Sequence, residues 1–131
     1  MGAYRTGMKL ERNADDPGVN VIRSYAAGEV RIGERLIRES CLVTAERIET
    51  GWTVRAVAEL TVADLEPIFA LRPQVVVLGT GPTQQFPSAA VRGAFAQRRI
   101  GLEVMDLGAA CRTFNVLVQE GRNVAAALLL Q

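Results

Sequence analysis

The sequence of 131 residues contains no histidine, and this absence removes several common kinds of active site. Ser-His-Asp and Cys-His arrangements need an imidazole as the general base. Histidine ligation of metal ions and the usual proton shuttle at neutral pH are excluded for the same reason. An enzyme built on this chain would depend on Asp, Glu, Arg, Thr or Cys, and no pair of carboxylates is spaced for acid–base catalysis. We therefore regard an enzyme as the least favoured functional class.

Cysteine is almost as scarce, because Cys41 and Cys111 are the only two. Two thiolates alone make a poor zinc site. We interpret both as small core residues in a reducing compartment. A disulfide between them is the alternative that the sequence leaves open. Cys111 is also a candidate nucleophile near a predicted helix N-terminus, but its apolar neighbours and the lack of a histidine base favour a packed thiol. The sequence thus predicts no catalytic residue, no metal site and no cofactor.

An excess of charge and a long apolar run are also missing. Lys+Arg 15 against Asp+Glu 14 leaves a formal charge of +1, so electrostatics gives no reason to expect nucleic acid or an anionic membrane as a partner. The longest apolar run, residues 124–130, is far shorter than the ~20 residues that a membrane span needs. The N-terminal residues show no apolar signal-peptide segment. We expect a cytoplasmic protein with no membrane span.

The apolar share of 49% is ample for one hydrophobic core in a chain of this length. Residues 1–18 combine charges with turn-forming residues and predict a flexible N-terminal arm. Residues 19–131 contain no internal repeat and no linker, and they predict a single α/β domain.

The first half of this predicted domain consists of short apolar runs separated by turns. Val19, Val21 and Tyr25 are predicted to share one face of a first strand. Further short runs, including residues 53–59, complete an antiparallel β meander. We interpret Trp52 as covering an edge of the core, with an exposed anchor for a partner as the alternative.

The second half alternates between strand and helix patterns. Residues 75–78 form a β-branched run that is typical of a strand buried on both faces. A helix that begins near Pro87, carries Ala90 on its inner face and ends at Gly101 comes next, followed by a strand over residues 102–105. A second helix over about residues 109–120 and a last strand complete the crossover units of a largely parallel sheet. The predicted fold is an α/β core with a β-hairpin layer from the first half.

Gly79, Thr80 and Gly81 follow the buried strand and precede a helix, as a phosphate-binding loop does. Gln84 stands where the dinucleotide fingerprint has glycine, and Pro82 removes one backbone N–H from such a loop. A tight turn with glycines at positive φ therefore explains the pattern equally well. A small anion or polar ligand would lie outside the carboxyl ends of the strands.

Asp106 is predicted to cap the second helix. Arg112 then falls close to the first turn, where the helix macrodipole disfavours a cation. We expect it to pair with a carboxylate, Glu103 or Asp106, or with an external anion. Asn115, three residues later, extends the same polar patch.

Several segments of the second half resemble, in the same order, a widespread DUF498-type family of small domains of unknown function. They are Leu-Gly-Thr-Gly at residues 78–81, Pro87, Gly-Leu-Glu-Val-Met at 101–105, Ala-Ala-Cys-Arg-Thr-Phe-Asn-Val-Leu at 109–117 and Glu-Gly-Arg-Asn-Val-Ala-Ala-Ala-Leu at 120–128. The similarity spans about residues 20–130 and implies a three-layer α/β fold, with a mixed central sheet flanked by helices and an added β layer. The positions that match the family are Gly79, Gly81, Arg112, Thr113 and Asn115. With Thr80 they are expected to form a polar surface patch for a ligand or a partner.

Eukaryotic members of that family include a mitochondrial respiratory complex I assembly factor, which is thought to be non-catalytic. The resemblance therefore implies a non-enzymatic domain that binds an as yet unknown protein partner and assists assembly. Since no transit peptide is apparent, the chain looks like a free-standing bacterial or cytoplasmic member. The alternative is a binder of a small anionic metabolite, held by the 79–84 loop with Arg112 and Asn115. A concave site beside residues 79–81 with Arg112 facing into it would favour the ligand, and an exposed apolar patch would favour the partner.

Overall fold

A computed structural model of the protein describes residues 18–130. Of the predicted N-terminal arm, residues 1–17 lie outside the described residues. The α-helices and strands follow one another as β1 (Ile22–Ala26), β2 (Glu29–Ile32), β3 (Arg35–Ile37), β4 (Cys41–Val43), β5 (Ile48–Thr50), α1 (Glu66–Ala70), β6 (Val75–Gly79), α2 (Ala89–Gln97), β7 (Gly101–Met105), α3 (Leu107–Gln119) and β8 (Val124–Leu128). Two short 3-10 turns, Val57–Glu59 and Val62–Leu65, precede α1.

The central sheet has five strands in the order β5-β4-β8-β6-β7. The pairs β8–β6 and β6–β7 are parallel, whereas β4 pairs antiparallel with both β8 and β5. Every residue of β6 and β8 is buried, as the continuous apolar runs predicted. The mixed α/β fold expected from the sequence is therefore confirmed.

Strands β1, β2 and β3 form a second, antiparallel sheet. Its inward residues, among them Ile22 and Ile32, join one core cluster with Phe114 of α3 and Val77 of β6. On the opposite face of the central sheet, α1, α2 and the 3-10 turns enclose a second cluster. The three layers are thus α1 with α2, the central sheet, and α3 with the small sheet.

The two clusters divide the side chains of β6 between them. Val75 and Val77 point to the α3 side, while Val76 and Leu78 point to the α2 side. This alternation follows from the two-residue period of a strand, and burial on both faces explains why β6 has no polar positions.

Trp52 lies in the second cluster with 8% of its surface exposed, and its Nε1–H donates to Asp64 O at 3.1 Å. The interpretation of Trp52 as core cover is confirmed. Asp64 Oδ2 accepts from Thr61 N at 2.8 Å, in a capping box that opens the second 3-10 turn. Pro67 stands in the first turn of the short α1.

Two predictions about the first half are wrong. Residues 53–59 do not form a strand. Val57–Glu59 form a 3-10 turn, and Val54, Val57 and Leu60, within and beside this turn, are buried. The predicted meander is also interrupted after β3, because β4 extends the central sheet beside β8.

The boundaries of α2 also differ from the prediction. Ser88 is the N-cap, so Pro87 precedes the helix and Ala90 is exposed rather than inward. The helix ends at Gln97, because Arg99 adopts a positive φ of 58° and turns the chain. Gly101 is consequently the first residue of β7.

Candidate functional site

The loop after β6 is held by one buried side chain, that of Thr80, which is 4% exposed. Its Oγ1 lies 2.7 Å from Thr83 O, to which it donates, and accepts from Gln85 N at 3.1 Å. The Thr80 backbone N–H donates to Met105 O at 2.9 Å, which ties the loop to the end of β7. Thr80 therefore shapes the loop from inside and presents no free hydroxyl to a ligand.

The start of α3 is fixed against the same loop. Asp106 is the N-cap, as predicted, and its Oδ1 accepts from Ala109 N at 2.8 Å. Leu107 N donates to Gly81 O at 2.8 Å, with Gly81 at a positive φ of 99°. The loop and the helix start thus form one connected wall at the carboxyl ends of β6 and β7.

Tyr25 of β1 reaches this wall from the small sheet. The register of β1 against β2 shifts between Ile22 and Ser24, so the strand is bulged there. Tyr25 consequently lies outside the core with 46% of its surface exposed, whereas Ile22 is buried. The predicted shared face for Tyr25 with Val19 and Val21 is therefore wrong.

The phenol of Tyr25 lies across α3. Arg112 Nη1 donates to Tyr25 Oη at 2.8 Å. A Cβ added to Gly108 would lie only 2.6 Å from the same oxygen, so the close approach requires glycine. Gly108 and Arg112 are four residues apart and share one face of the helix.

Tyr25 and Arg112 border a cleft of about 710 Å³, which we call the Tyr25 cleft. It is lined by Tyr25, Ala26, Ala27, Gly28, Gly81, Pro82, Asp106, Leu107, Gly108, Arg112 and Leu129. Most of these residues are small or apolar. Asp106 and Arg112 are the charged residues among them, and the Asp106 carboxylate already caps the helix.

The structure brings only part of the predicted patch together. Gly81 and Arg112 line the Tyr25 cleft, while Gly79 and Thr80 lie beneath it as buried residues. Thr113 is half-buried and does not line the cleft. The side-chain amide of Asn115 is hydrogen-bonded to the backbone of β1.

Asn115 clamps the backbone of β1 instead of extending the polar patch. Its Oδ1 accepts from Ile22 N and its Nδ2 donates to Ile22 O, both at 2.9 Å. The expected partner of Arg112 also differs. Among residues 18–130 it makes no ion pair with a carboxylate, and its intramolecular partner is the neutral Tyr25 hydroxyl. Since α3 begins at Leu107, Arg112 lies in the second turn, where the macrodipole acts less strongly.

Cys41 and Cys111 are both free and buried, and neither lines the cleft. Burial, followed by the charge of Cys111, raises the pKa of Cys41 to about 12. Burial also raises the pKa of Cys111 to about 12, against a smaller opposing effect of Arg112. Both groups are therefore protonated thiols at neutral pH, and the interpretation of Cys111 as a packed residue is favoured over a nucleophile.

Sequence reasoning missed Tyr25 and Gly108. The spacing of Gly108, Arg112 and Asn115 at i, i+4 and i+7 is a signal that Gly108 shares one helix face with two of the family-like positions. The bulge that turns Tyr25 towards this face has no comparable local signal.

Between residues 18 and 130, no three Asp, Glu or Cys side chains are grouped so that they could hold a metal ion. None of the helices in that range is long and apolar enough to cross a membrane.

Residues 22–129 match a family described as "Protein of unknown function (DUF498/DUF598)". A Danio rerio protein named NADH dehydrogenase (ubiquinone) 1 alpha subcomplex assembly factor 3 is 36% identical over 111 residues, which make up 83% of this chain. The chain spans 63% of the length of that relative.

Solved structures agree with the family match. An NMR structure from Xanthomonas campestris is 34% identical with a TM-score of 0.79, covering 94% of this chain and 92% of that one. A Bordetella pertussis protein described as an Mth938-like domain has a TM-score of 0.78 at 24% identity over the same shares, and shows likeness of fold. Since the family match covers most of the chain, the protein belongs to the DUF498/DUF598 family of proteins of unknown function.

Proposed function

We propose that this protein binds another protein through the Tyr25 cleft and thereby assists the assembly of a larger complex. The observation that carries the proposal is the hydrogen-bonded pair of Tyr25 and Arg112 at the border of a largely apolar cleft. Tyrosine and arginine are the residue types that, with tryptophan, most often dominate the energy of protein interfaces.

The cleft is suited to a partner side chain because its walls are already in place. Leu107 and Leu129 are buried at 7% and 1% exposure and supply an apolar floor. The bond from Leu107 N to Gly81 O fixes the wall, so little conformational freedom remains to be lost on binding. Alanine, glycine and proline complete the surface without long polar side chains.

The similarity to a protein named as an assembly factor supports the second half of the proposal. The chain covers part of that relative, so we propose only the general role, assembly of a larger protein complex. The partner and the cytoplasmic location stay predictions.

The binding step is tested by affinity capture from the source organism with quantitative mass spectrometry. Truncating an interface anchor typically costs 2 kcal/mol or more, which is a loss of roughly thirtyfold in affinity. We expect Tyr25→Ala to remove at least one protein that the unchanged chain captures. Val116→Ala is the control, because Val116 is also an exposed large hydrophobic residue but does not line the cleft. Equal capture by wild type and Tyr25→Ala would refute the assignment of this cleft.

The assembly step needs a separate readout. In cells that lack the protein, native gels should show a complex containing the captured partner stalled as a smaller species. Wild type should restore the full-size complex and Tyr25→Ala should not. Complexes of normal size in the deletion strain would be compatible with the proposed partner binding but would refute the proposed role in assembly.

A binder of a small anionic metabolite is the second candidate. It is favoured by the position of the cleft beside Gly81, at the carboxyl ends of two parallel strands, with Arg112 in its lining. Asn115 takes no part, because its amide binds Ile22.

A thermal-shift screen against anionic metabolites separates this candidate from the first. A ligand at ~100 times its Kd adds about 2.7 kcal/mol to the free energy of unfolding. Stabilisation that Arg112→Ala abolishes, and that the exposed-site control Arg122→Ala retains, would support the ligand. A panel without any such ligand would reject it.

A further inference from the structure

We propose that the outer edge of β7 is a docking site for an extended segment of another protein, which adds to the central sheet as a further strand. The site consists of the edge itself and the groove between β7 and α2, which we call the β7 groove. Its lining includes Phe86, Arg92, Ile100, Leu102, Glu103 and Val104. It shares no lining residue with the Tyr25 cleft, so the proposal is independent of the function proposed above.

The backbone of β7 presents unpaired groups along this edge. Within residues 18–130, β7 is the last strand of the central sheet and pairs with β6 alone. Gly101 N donates to Gln74 O, and Met105 O accepts from Thr80 N, so the odd-numbered residues of β7 face β6. Because successive residues of a strand direct their N–H and C=O groups to opposite edges, those of Leu102 and Val104 point outwards.

One of these outward groups is already occupied. Gln84 Nε2 donates to Val104 O at 2.9 Å. Among the contacts of residues 18–130, Leu102 N, Leu102 O and Val104 N have no hydrogen-bond partner. Such a row of donors and acceptors is a template for strand addition. The Gln84 side chain occupies the place of an incoming backbone N–H and must leave when a longer strand pairs.

Side chains beside the edge provide an apolar surface. Phe86 has 67% of its surface exposed, and Leu102 and Val104 are half-buried. With Ile100 they border a groove of about 420 Å³. A strand paired with β7 would place every second side chain over this groove.

Charge defines the partner more closely. Arg92 and Glu103 are the charged residues that line the groove. Leu102 and Val104 pack towards α2, so by strand alternation the Glu103 side chain projects from the other face of β7. Among the described residues, neither Arg92 nor Glu103 forms an ion pair. The complementary segment has apolar side chains and one carboxylate on its groove face, and a Lys or Arg opposite Glu103. A second copy of β7 would place glutamates near one another and fits less well.

A phage-displayed library of random dodecapeptides, selected against the whole protein, tests the proposal. We expect alternating peptides with an acidic residue on the apolar face and a basic residue on the other. Selection on Arg92→Glu should replace the acidic residue by a basic one, and selection on Glu103→Lys should replace the basic residue by an acidic one. Peptides without alternation, or with the same charges on all three proteins, would overturn the proposal.

Backbone pairing is tested with the strongest selected peptide. Leu102→Pro removes an outward N–H without removing a bond to β6, and Leu102→Ala removes the same side chain while keeping the N–H. We expect at least tenfold weaker binding to Leu102→Pro than to Leu102→Ala, and tighter binding to Gln84→Ala. Phe86→Ala, at an exposed site that folding does not need, should also weaken binding at least tenfold. Unchanged binding to Phe86→Ala and Leu102→Pro would contradict the site.

Amide hydrogen exchange followed by NMR provides a readout that does not depend on the variants. In the free protein the amides of Leu102 and Val104 should exchange faster than that of Glu103, which faces β6. The peptide should slow the exchange of Leu102 and Val104 selectively. Slowing that grows with protein concentration alone would identify a second copy of the chain as the occupant and overturn the proposed partner.

Discussion

At the scale of single residues, Gly108 determines where the Tyr25 ring lies. A Cβ at this position would meet Tyr25 Oη at 2.6 Å and Tyr25 Cζ at 2.7 Å. Because the phenol is at the end of a half-exposed side chain, it has room to move towards solvent. Gly108 therefore determines the shape of the Tyr25 cleft and contributes little to the stability of α3.

The substitution Gly108→Ala should move Tyr25 and break its bond to Arg112 without destabilising the protein. Alanine favours a helix over glycine by up to about 1 kcal/mol, which offsets the displacement of the ring. We expect the Tyr25 ring signals to shift in NMR spectra, and the free energy of unfolding in urea to stay the same or rise.

Gly93→Ala is the control, because Gly93 is also helical and a Cβ there meets no atom within 4 Å. It should raise stability without shifting the Tyr25 signals. Unchanged Tyr25 signals in Gly108→Ala would show that the ring does not lie across α3.

At the scale of secondary-structure elements, Asn115 joins α3 to β1 over a separation of 93 residues. Ile22 is buried, so its backbone N–H and C=O depend on the Asn115 amide for hydrogen bonds. Leaving a buried polar group unpaired costs about 1–3 kcal/mol. The clamp therefore fixes the small sheet, and with it Tyr25, against the helix.

We expect Asn115→Ala to lower the free energy of unfolding by about 1–3 kcal/mol. Asn115→Asp should be at least as damaging, because a carboxylate oxygen would then face Ile22 O without a proton between them. Urea unfolding of the two variants and of Gln119→Ala provides the measurement, since Gln119 carries an amide on the same helix at an exposed site. Equal losses in all three would argue against the clamp.

The elements of the second half were predictable because their signals are local. The β-branched run of β6 and the cap at Asp106 depend on neighbours within a few residues. The first half was less predictable. The spacing of Val54 and Val57 is compatible with a strand or a turn until the core that receives them is known.

The candidate site was predictable only in part, because one of its residues carries no local signal. Gly81 and Arg112 were identified from a loop pattern and a family-like motif, and both line the cleft. Their third neighbour, Tyr25, comes from 87 residues earlier in the chain than Arg112. It reaches the cleft through a bulge in β1, and a register shift of this kind depends on pairing with β2 rather than on the sequence around Tyr25.

At the scale of the whole molecule, one loop serves both proposed surfaces. Between β6 and α2, Gly81 and Pro82 line the Tyr25 cleft, whereas Phe86 lines the β7 groove. The buried Thr80 hydroxyl holds the loop between them. Two partners, or two segments of one partner, would therefore bind on either side of the loop that the Thr80 hydroxyl holds in place.

The molecule as a whole also encloses two thiols in the core between the central sheet and α3. Their pKa values are raised to about 12, chiefly by burial, from 9.0 for an exposed thiol. Below pH 9 the thiols are protonated in both the folded and the unfolded protein, and their contribution to stability is fully present. Between pH 9 and 12 only the unfolded chain loses these protons, so stability falls as the pH rises.

We therefore expect the free energy of unfolding to fall by up to about 1.4 kcal/mol per pH unit for each thiol in this interval. Urea unfolding at pH 8.5, 9.5 and 10.5 under reducing conditions measures the slope, and the double variant Cys41→Ala with Cys111→Ala is the control. The variant should be less stable at pH 8.5, because it leaves small cavities, but its stability should depend less on pH. Cys111→Ala alone should reduce the slope by about half, because burial still raises the pKa of the remaining Cys41 thiol. Parallel slopes for the wild type and the double variant would mean that the thiols ionise equally well in the folded protein, and hence that water reaches the core beneath α3.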